Sequence, residues 1–201
     1  MFTHGPLVVG MTGASVPKLT IRLLQTLQVT DVETHLVISS GARRTIALEA
    51  PEWTVAGVED LADVAYSPYD MAAAIASGSF LTRGMVILPC SMKAVAAIAY
   101  SLASDLLVRG ADVTLKESRP LVLVPRESPL HLGHLRNLVR TAELGATVMP
   151  PMLGTYYSPK SVDDVVDHIV GRVLDHFGIE NDLVERWVGG AQPRRKATDT
   201  E

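Results

Sequence analysis

The amino-acid sequence predicts an α/β protein with one doubly wound, mostly parallel sheet and helices on both of its faces. Three observations predict this fold. Short apolar segments of strand length alternate with longer amphipathic segments along the chain. The 201 residues are enough to cover one such sheet on both sides. The sequence shows no internal repeat, so we expect a single domain of the Rossmann-like class.

The apolar segments predict five strands, at residues 6–11, 32–38, 85–88, 121–124 and 146–149. The amphipathic segments predict helices at residues 21–27, 41–50, 92–103, 132–144 and 162–177. A further helix is expected around Arg109 and Lys116. Gly145 is a natural end for one helix, and Ser161 followed by acidic residues is a natural start for the last.

Two segments fall outside this alternation. Residues 51–70 have no clear periodicity, so no element is predicted there. Residues 189–201 are rich in glycine, proline and charge, and we expect them to form a disordered tail. The folded domain is therefore predicted to cover residues 1–188.

Composition limits the classes of function. A formal net charge of -4 argues against a general nucleic-acid-binding protein, which would be basic. No apolar segment is long enough to span a bilayer, and the first residues lack a signal-peptide pattern, so we expect a cytoplasmic protein with no membrane partner. Cys90 is the only cysteine, which excludes an internal disulfide framework and a CxxC metal site.

Polar residues follow several predicted strands, at the edge where doubly wound sheets bind ligands. They are Gly13, Ala14 and Ser15 after the first strand, Ser39, Ser40 and Gly41 after the second, Pro89–Lys93 after the third and Pro125–Glu127 after the fourth. Small hydroxyls, helix-start amides and cations suit a phosphate monoester. The alternative is that the serines only cap helices. Their shared position at one edge favours a phosphate-bearing ligand.

The glycine turn disfavours a dinucleotide. The turn GMTGASVP has Val16 where the GxGxxG pattern requires glycine. A dinucleotide site also requires an acid at the end of the second strand, but Glu33 lies early in that strand and Ser39 ends it. A mononucleotide such as FMN fits better.

A second group of charged residues indicates a second anionic ligand. It comprises Arg109, Lys116, Arg126, Glu127 and Arg172. These are more cations than one phosphate requires. Periodicity alone favours another interpretation for Arg109 and Lys116, which is a solvated helix face.

Three other features have structural interpretations. His131 and His134 have helical spacing but no carboxylate or cysteine to complete a metal site, so we interpret them as capping or packing residues. Cys90 has no histidine partner in the sequence and is interpreted as a buried structural thiol. Glu49, taken alone, is an ordinary surface carboxylate.

Several longer motifs resemble the flavin prenyltransferase family of the UbiX type. They are VETHLVIS, SGSF, GMVILPCSMK, LVRGADVTLKE, RPLVLVPRESPLHLGHLRN, VMPPMLGTYYSP and DHIVGRVLDHFGIE with Trp187. The resemblance runs from about Leu7 to Gly189 and is strongest to members associated with aromatic-acid decarboxylases. It implies the same sheet, assembled as a dodecamer with each active site at a junction of subunits.

The resemblance also implies a reaction. Family members join dimethylallyl phosphate to N5 and C6 of reduced FMN without a metal, and the prenylated FMN passes to a UbiD-type decarboxylase. The FMN-binding positions correspond to Gly13, Ala14, Ser15, Ser39, Ser91, Met92, Lys93, Ala94 and Arg126. The prenyl-phosphate pocket corresponds to Arg109, Lys116, Arg126, Glu127, Tyr156, Arg172 and Trp187. The catalytic positions correspond to Ser15, Glu49, Lys116 and Glu127, with Ser15 and Glu49 in proton handling near N5.

Two residues depart from the family pattern. Val16 replaces the glycine expected after GAS, and Ala94 replaces the threonine expected after SMK. They keep one alternative open, a flavin-binding carrier of a decarboxylase system that prenylates nothing. An FMN-dependent cysteine decarboxylase is the other alternative, but its PxMNxxM segment is PCSMKAV here.

Overall fold

A computed structural model describes residues 4–184 and 186, and these residues form one sheet with helices on both faces. The strands are β1 (Leu7–Met11), β2 (Thr34–Ile38), β3 (Val64–Tyr66), β4 (Gly84–Cys90), β5 (Leu121–Pro125) and β6 (Thr147–Val148). Their order is β3-β2-β1-β4-β5-β6, and every pairing is parallel. The predicted doubly wound fold is confirmed.

The helices are α1 (Lys18–Leu27), α2 (Ser40–Glu49), α3 (Val55–Glu59), α4 (Met92–Ala99), α5 (Leu106–Lys116), α6 (Leu132–Glu143) and α7 (Val162–His176). A single 3₁₀ turn covers Ala74–Ala76. As predicted, Ser161 begins α7, with its hydroxyl and the Asp164 carboxylate capping each other's backbone. Gly145 follows α6 with a φ of +101°, a conformation that favours glycine.

The two faces of the sheet build two cores. Leu7, Val9 and Met11 of β1 pack on one face, in the core that α1 and α7 cover. Val8 of β1 faces the other side, where α4 and α5 supply the packing. Because both faces are covered, β1 is buried at every position. This explains why its sequence is a continuous apolar run and not an alternating one.

The strand order positions the functional edge. β1 lies between β2 and β4, and the chain leaves β1 and β4 toward opposite faces of the sheet, with α1 on one and α4 on the other. A crevice opens outside the carboxyl ends of two such strands. The residues after β1 and β4 therefore line a natural ligand site.

The unassigned segment 51–70 contains elements that the sequence did not predict. It forms α3 and the edge strand β3, which pairs with β2. β3 is three residues long and only partly buried, so it has no apolar run to mark it. The predicted helix 92–103 was too long: it ends at Ala99, and Ser101 adopts a φ of +54°. Trp187 and the expected tail at 189–201 lie outside the described residues. No helix in the described part of the chain is long and apolar enough to cross a membrane.

Candidate functional site

The turn after β1 touches the start of α2 through two glycines. A Cβ on Gly13 would lie 2.8 Å from the carbonyl carbon of Gly41, which is closer than real side chains approach backbone. A side chain at residue 13 is therefore excluded by the backbone opposite. The two segments meet as bare backbone, which leaves the crevice floor free for a ligand.

Two serines cap the helices that begin at this edge. The Ser39 hydroxyl accepts from the Ala42 N–H at 3.2 Å, and the Ser91 hydroxyl accepts from the Ala94 N–H at 3.3 Å. The capping interpretation is correct for both, but it does not exclude ligand binding. A capping oxygen accepts one bond and keeps its own hydrogen to donate, so both serines can still serve a phosphate.

Thr12 is a residue that the sequence interpretation missed. It is buried, its hydroxyl donates to the Pro89 carbonyl at 2.9 Å, and the same oxygen accepts from the Ser91 N–H at 2.6 Å. These bonds join the end of β1 to the end of β4 across the crevice. Only its position directly after a predicted strand could have indicated this role.

A cavity of about 210 Å³ lies between these helix starts and α5. Its lining includes five of the predicted FMN positions, together with Thr12, Gly41, Tyr69 and Asp105. The five are Gly13, Ser39, Ser91, Lys93 and Ala94. Two other predicted positions, Ala14 and Met92, are buried beside it and contribute backbone and packing. The donor set of hydroxyls, helix-start amides and one lysine fits a phosphate group.

Ser15 and Glu49 form a hydrogen-bonded pair beside the turn. Glu49 Oε2 accepts from the Ser15 hydroxyl at 2.6 Å and from the Val16 N–H at 3.0 Å. The Ser15 bond, the Val16 bond and the positive charge of Arg126 all lower the pKa of the Glu49 carboxyl. Glu49 is therefore a held carboxylate and not an unattached surface charge.

Val16 adopts a backbone conformation that favours glycine. Its φ is +74°, in the left-handed region that valine rarely adopts. Its side chain packs against the core under α1, so it points into the protein interior. Val16 therefore combines a strained backbone with a side chain packed on the core.

Arg126 and Glu127 follow β5 at the same edge of the sheet. The Arg126 N–H donates to the Cys90 carbonyl at 3.1 Å, which places it next to the end of β4. Both side chains are exposed, and Glu127 accepts from its neighbour, the Ser128 N–H, at 3.0 Å. Both are free to contact a ligand.

Lys116 lies at the opposite edge of the sheet. It ends α5, which returns the chain to the amino end of β5, whereas Gly13 follows the carboxyl end of β1. Its ammonium pairs with Glu117. Arg109 is on the same helix and donates to the Ala76 carbonyl at 3.2 Å and to Asp112 at 2.8 Å. Lys116 therefore lies at the end of the sheet away from the crevice of its own chain, and Arg109 is held against Ala76 and Asp112.

Tyr156 and Arg172 are both associated with α7: Arg172 lies on this helix, and Tyr156 precedes it and contacts it. The Tyr156 hydroxyl lies 3.0 Å from His168 Nε2, and Arg172 pairs with Asp175 at 2.8 Å. Among residues 4–184, no hydrogen bond or ion pair joins either of them to Lys116 or Arg126. One chain therefore places Lys116 before the amino end of β5 and Arg126 after its carboxyl end, with Tyr156 and Arg172 contacting residues of α7.

The structural interpretations of Cys90 and the histidines are confirmed. Cys90 is fully buried, and burial raises the pKa of its thiol to about 12. His131 Nδ1 accepts from the Gly133 N–H at 3.0 Å and caps α6. Within the described ranges, no cluster of histidine, cysteine and acidic side chains is arranged to hold a metal.

Comparison with known proteins identifies a family and relatives that match most of the chain. The model of the family described as Flavoprotein matches residues 3–174. Flavin prenyltransferase UbiX of Escherichia coli K12 is 53% identical over 186 residues, covering 91% of this chain and 98% of the relative. A dodecameric FMN-dependent UbiX-like decarboxylase from E. coli O157:H7 has a TM-score of 0.89 at 50% identity, covering 92% of this chain and 100% of the other.

A third comparison includes bound ligands. The structure of AnUbiX (PadA1) in complex with FMN and dimethylallyl pyrophosphate has a TM-score of 0.90 at 45% identity, covering 92% of this chain and 98% of the other. The similarities extend over nearly the whole chain and agree in fold and sequence. The chain belongs to the Flavoprotein family and, within it, to the UbiX-type flavin prenyltransferases.

Proposed function

We propose that this protein joins the dimethylallyl group of dimethylallyl phosphate to N5 and C6 of reduced FMN, giving prenylated FMN. The observation that carries the proposal is the crevice itself. The capped starts of α2 and α4 lie at the carboxyl ends of the strands, beside the close contact of Gly13 with Gly41. The hydrogen-bonded Glu49 carboxylate lies next to the same turn. That arrangement suits a flavin mononucleotide with a proton-handling group beside it.

The FMN phosphate is assigned to the capped helix starts. Ser39 and Ser91 donate their remaining hydroxyl hydrogens, and Lys93 supplies a positive charge. Ala94 lacks the hydroxyl that the family pattern implies, but its N–H is already satisfied by Ser91, so the helix start is intact. FMN, when reduced, supplies the nitrogen and carbon that accept the prenyl group.

The leaving phosphate requires positive charge where its oxygens develop negative charge. Lys116, Arg126 and Arg172 are the proposed sources, with Glu127 and Tyr156 in the same pocket and Arg109 supporting the loop beside Lys116. Lys116 and Arg126 lie at opposite ends of β5 in one chain, so we propose that the pocket combines residues from neighbouring copies. This geometry supports a homo-oligomer, for which we propose the dodecamer seen in the E. coli relative.

Glu49 is the proposed proton carrier. Its lowered pKa keeps it ionised at neutral pH, so it can accept a proton through Ser15 when ring closure at C6 releases one. The departing phosphate is a second base. Trp187, the proposed aromatic contact of the prenyl group, lies outside the described residues.

The proposal also covers the location of the protein and the recipient of its product. We propose a cytoplasmic enzyme whose product is taken up by a UbiD-type decarboxylase. The alternative of a flavin carrier is disfavoured, because a carrier has no use for a second set of phosphate-binding residues. A cysteine decarboxylase has no use for them either.

The test is an anaerobic incubation of the purified protein with reduced FMN and either dimethylallyl phosphate or dimethylallyl pyrophosphate. Mass spectrometry of the released flavin then measures the product. A gain of one dimethylallyl unit establishes the activity and identifies the accepted donor. FMN that binds but keeps its mass with both donors would reject the proposal in favour of the carrier.

A further inference from the structure

His168 contacts a proposed substrate residue but has no assigned role. It lies on α7, one turn before Arg172, and its Nε2 atom is 3.0 Å from the Tyr156 hydroxyl. Its ring stacks on Tyr157, with 4.1 Å between centroids and 9° between planes. These contacts fix both the position and the orientation of the imidazole.

The histidine forms a small aromatic cluster with the two tyrosines. Tyr156 meets the edge of Tyr157 with 5.2 Å between centroids, and its own edge meets His168 at 5.7 Å. Gly154 permits this packing, since a Cβ there would lie 3.0 Å from the Tyr157 ring and 3.1 Å from the Tyr156 ring. Tyr156 is exposed, so without the cluster its ring would be free to rotate.

Hydrogen-bond chemistry decides what Tyr156 can offer a ligand. A phosphate oxygen only accepts, so Tyr156 can bind it only with its hydroxyl hydrogen. If Nε2 accepts that hydrogen, none remains for phosphate. If Nε2 carries a hydrogen and donates it to the tyrosine oxygen, the hydroxyl hydrogen is free to point toward the ligand.

We infer that His168 is a positioning residue for the prenyl donor: its Nε2–H holds the Tyr156 oxygen so that the tyrosine hydroxyl donates to the donor's phosphate. The inference rests on the proposed function, because it takes Tyr156 and Arg172 to be phosphate contacts. Burial and the nearby Arg172 lower the pKa of His168, while Asp175 acts against them. The ring is therefore neutral at pH 7, and a phosphate dianion beside Tyr156 favours the Nε2–H form over the other neutral form.

Two substitutions separate the hydrogen bond from the stacking. His168→Phe keeps an aromatic ring against Tyr157 but cannot donate to Tyr156. His168→Gln loses the ring but has an amide that can donate. We expect His168→Phe to raise the KM for dimethylallyl phosphate about tenfold, in line with one lost polar contact, with kcat changed less than about twofold. His168→Gln should stay within about threefold of the unchanged protein.

Tyr156→Phe supplies the partner measurement. In that background His168→Phe should have no further effect on KM, because the group it positions is gone. The dissociation constant for FMN should be equal in the unchanged protein and all four variants, which separates a local effect from a folding defect. An unchanged KM in His168→Phe, a further rise in the double variant, or weakened FMN binding would each overturn the inference. Failure of the unchanged protein to prenylate FMN would instead reject the proposed function.

Discussion

Ser15 Oγ lies 2.6 Å from Glu49 Oε2 and donates a hydrogen bond to it, which joins the turn after β1 to the last residue of α2. The same carboxylate oxygen accepts the Val16 N–H. The pair lies beside the crevice, where the proposed reaction releases a proton. Its geometry predicts effects on both activity and stability.

Glu49→Gln should lower kcat about a hundredfold, the usual contribution of a general acid–base group. The amide can still accept from Ser15, so the turn should keep its shape and FMN should bind with the same affinity. Steady-state rates and flavin titration measure the two quantities. Glu52→Gln, an exposed carboxylate three residues later, is the matched control and should be neutral. An equal loss in both variants would contradict a specific role.

Glu49 also predicts how stability depends on pH. Its pKa is lowered in the folded protein, so the ionised form stabilises the fold above the ordinary value of 4.5, and this contribution is lost as the pH falls through the lowered value. The difference in free energy of unfolding between the unchanged protein and Glu49→Gln should therefore shrink between pH 6 and pH 3. Urea denaturation at about pH 6 and at about pH 3, on either side of the ordinary carboxyl pKa, measures this difference. A difference that grows toward acid pH would contradict the assignment.

Val16 predicts an unusual order of substitutions. Its left-handed backbone costs a non-glycine residue about 1–2 kcal/mol, which glycine avoids. Val16→Ala keeps that cost and loses packing, whereas Val16→Gly offsets lost packing with relieved strain. Val16→Gly should therefore be more stable than Val16→Ala by about 1 kcal/mol, once the roughly 0.5–1 kcal/mol entropy cost of glycine is included. The reverse order in urea denaturation would show that the turn takes another path.

Gly13 and Gly41 make an asymmetric pair. A Cβ on Gly13 would lie 2.8 Å from the Gly41 backbone, but a Cβ on Gly41 would lie 3.2 Å from Gly13 Cα. Gly13→Ala must move backbone, so it should cost about 2–3 kcal/mol of unfolding free energy and weaken FMN binding at least tenfold. Gly41→Ala should be milder in both. Thermal unfolding and flavin titration test the order, and a milder Gly13→Ala would contradict the close approach.

Gly78 predicts an effect on the prenyl donor with little loss of stability. A Cβ at Gly78 would lie 2.6 Å from Lys116 Nζ and closer still to Glu117 Oε1, both of which are ends of flexible side chains. Gly78→Ala should move Lys116 and raise the KM for dimethylallyl phosphate about tenfold, while unfolding free energy changes less than about 1 kcal/mol. Ser79→Ala in the same loop is the control. A change in FMN affinity without a change in the KM for the prenyl donor would contradict the separation of Lys116 from the FMN crevice.

Most of the fold could be predicted because the sheet is buried on both faces. Each central strand is a continuous apolar run, and two helices have a marked start or end, at Ser161 and Gly145. The edge strand β3 has neither signal, because three half-buried residues give no periodicity. The end of α4 at Ala99 was missed because residues 92–103 remain apolar past the helix end.

The candidate site could be predicted only in part. Polar residues after β1, β2 and β4 do meet at one edge, as the parallel topology requires. Thr12 was missed because a threonine after a strand has no distinctive pattern. His168 was missed because its role depends on Tyr156, which approaches α7 only in three dimensions. Glu49 looked ordinary because its partner lies 34 residues away.

Lys116 and Gly13 lie at opposite edges of one sheet, and this has a genetic consequence. If each catalytic centre takes Lys116 from one subunit and Glu49 from another, Lys116→Ala and Glu49→Gln damage residues that different subunits supply to that centre. Two such defective alleles expressed together should complement each other, since some mixed assemblies contain an intact lysine opposite an intact glutamate. Two alleles whose substitutions affect the same subunit's crevice, such as Glu49→Gln and Gly13→Ala, should not complement each other.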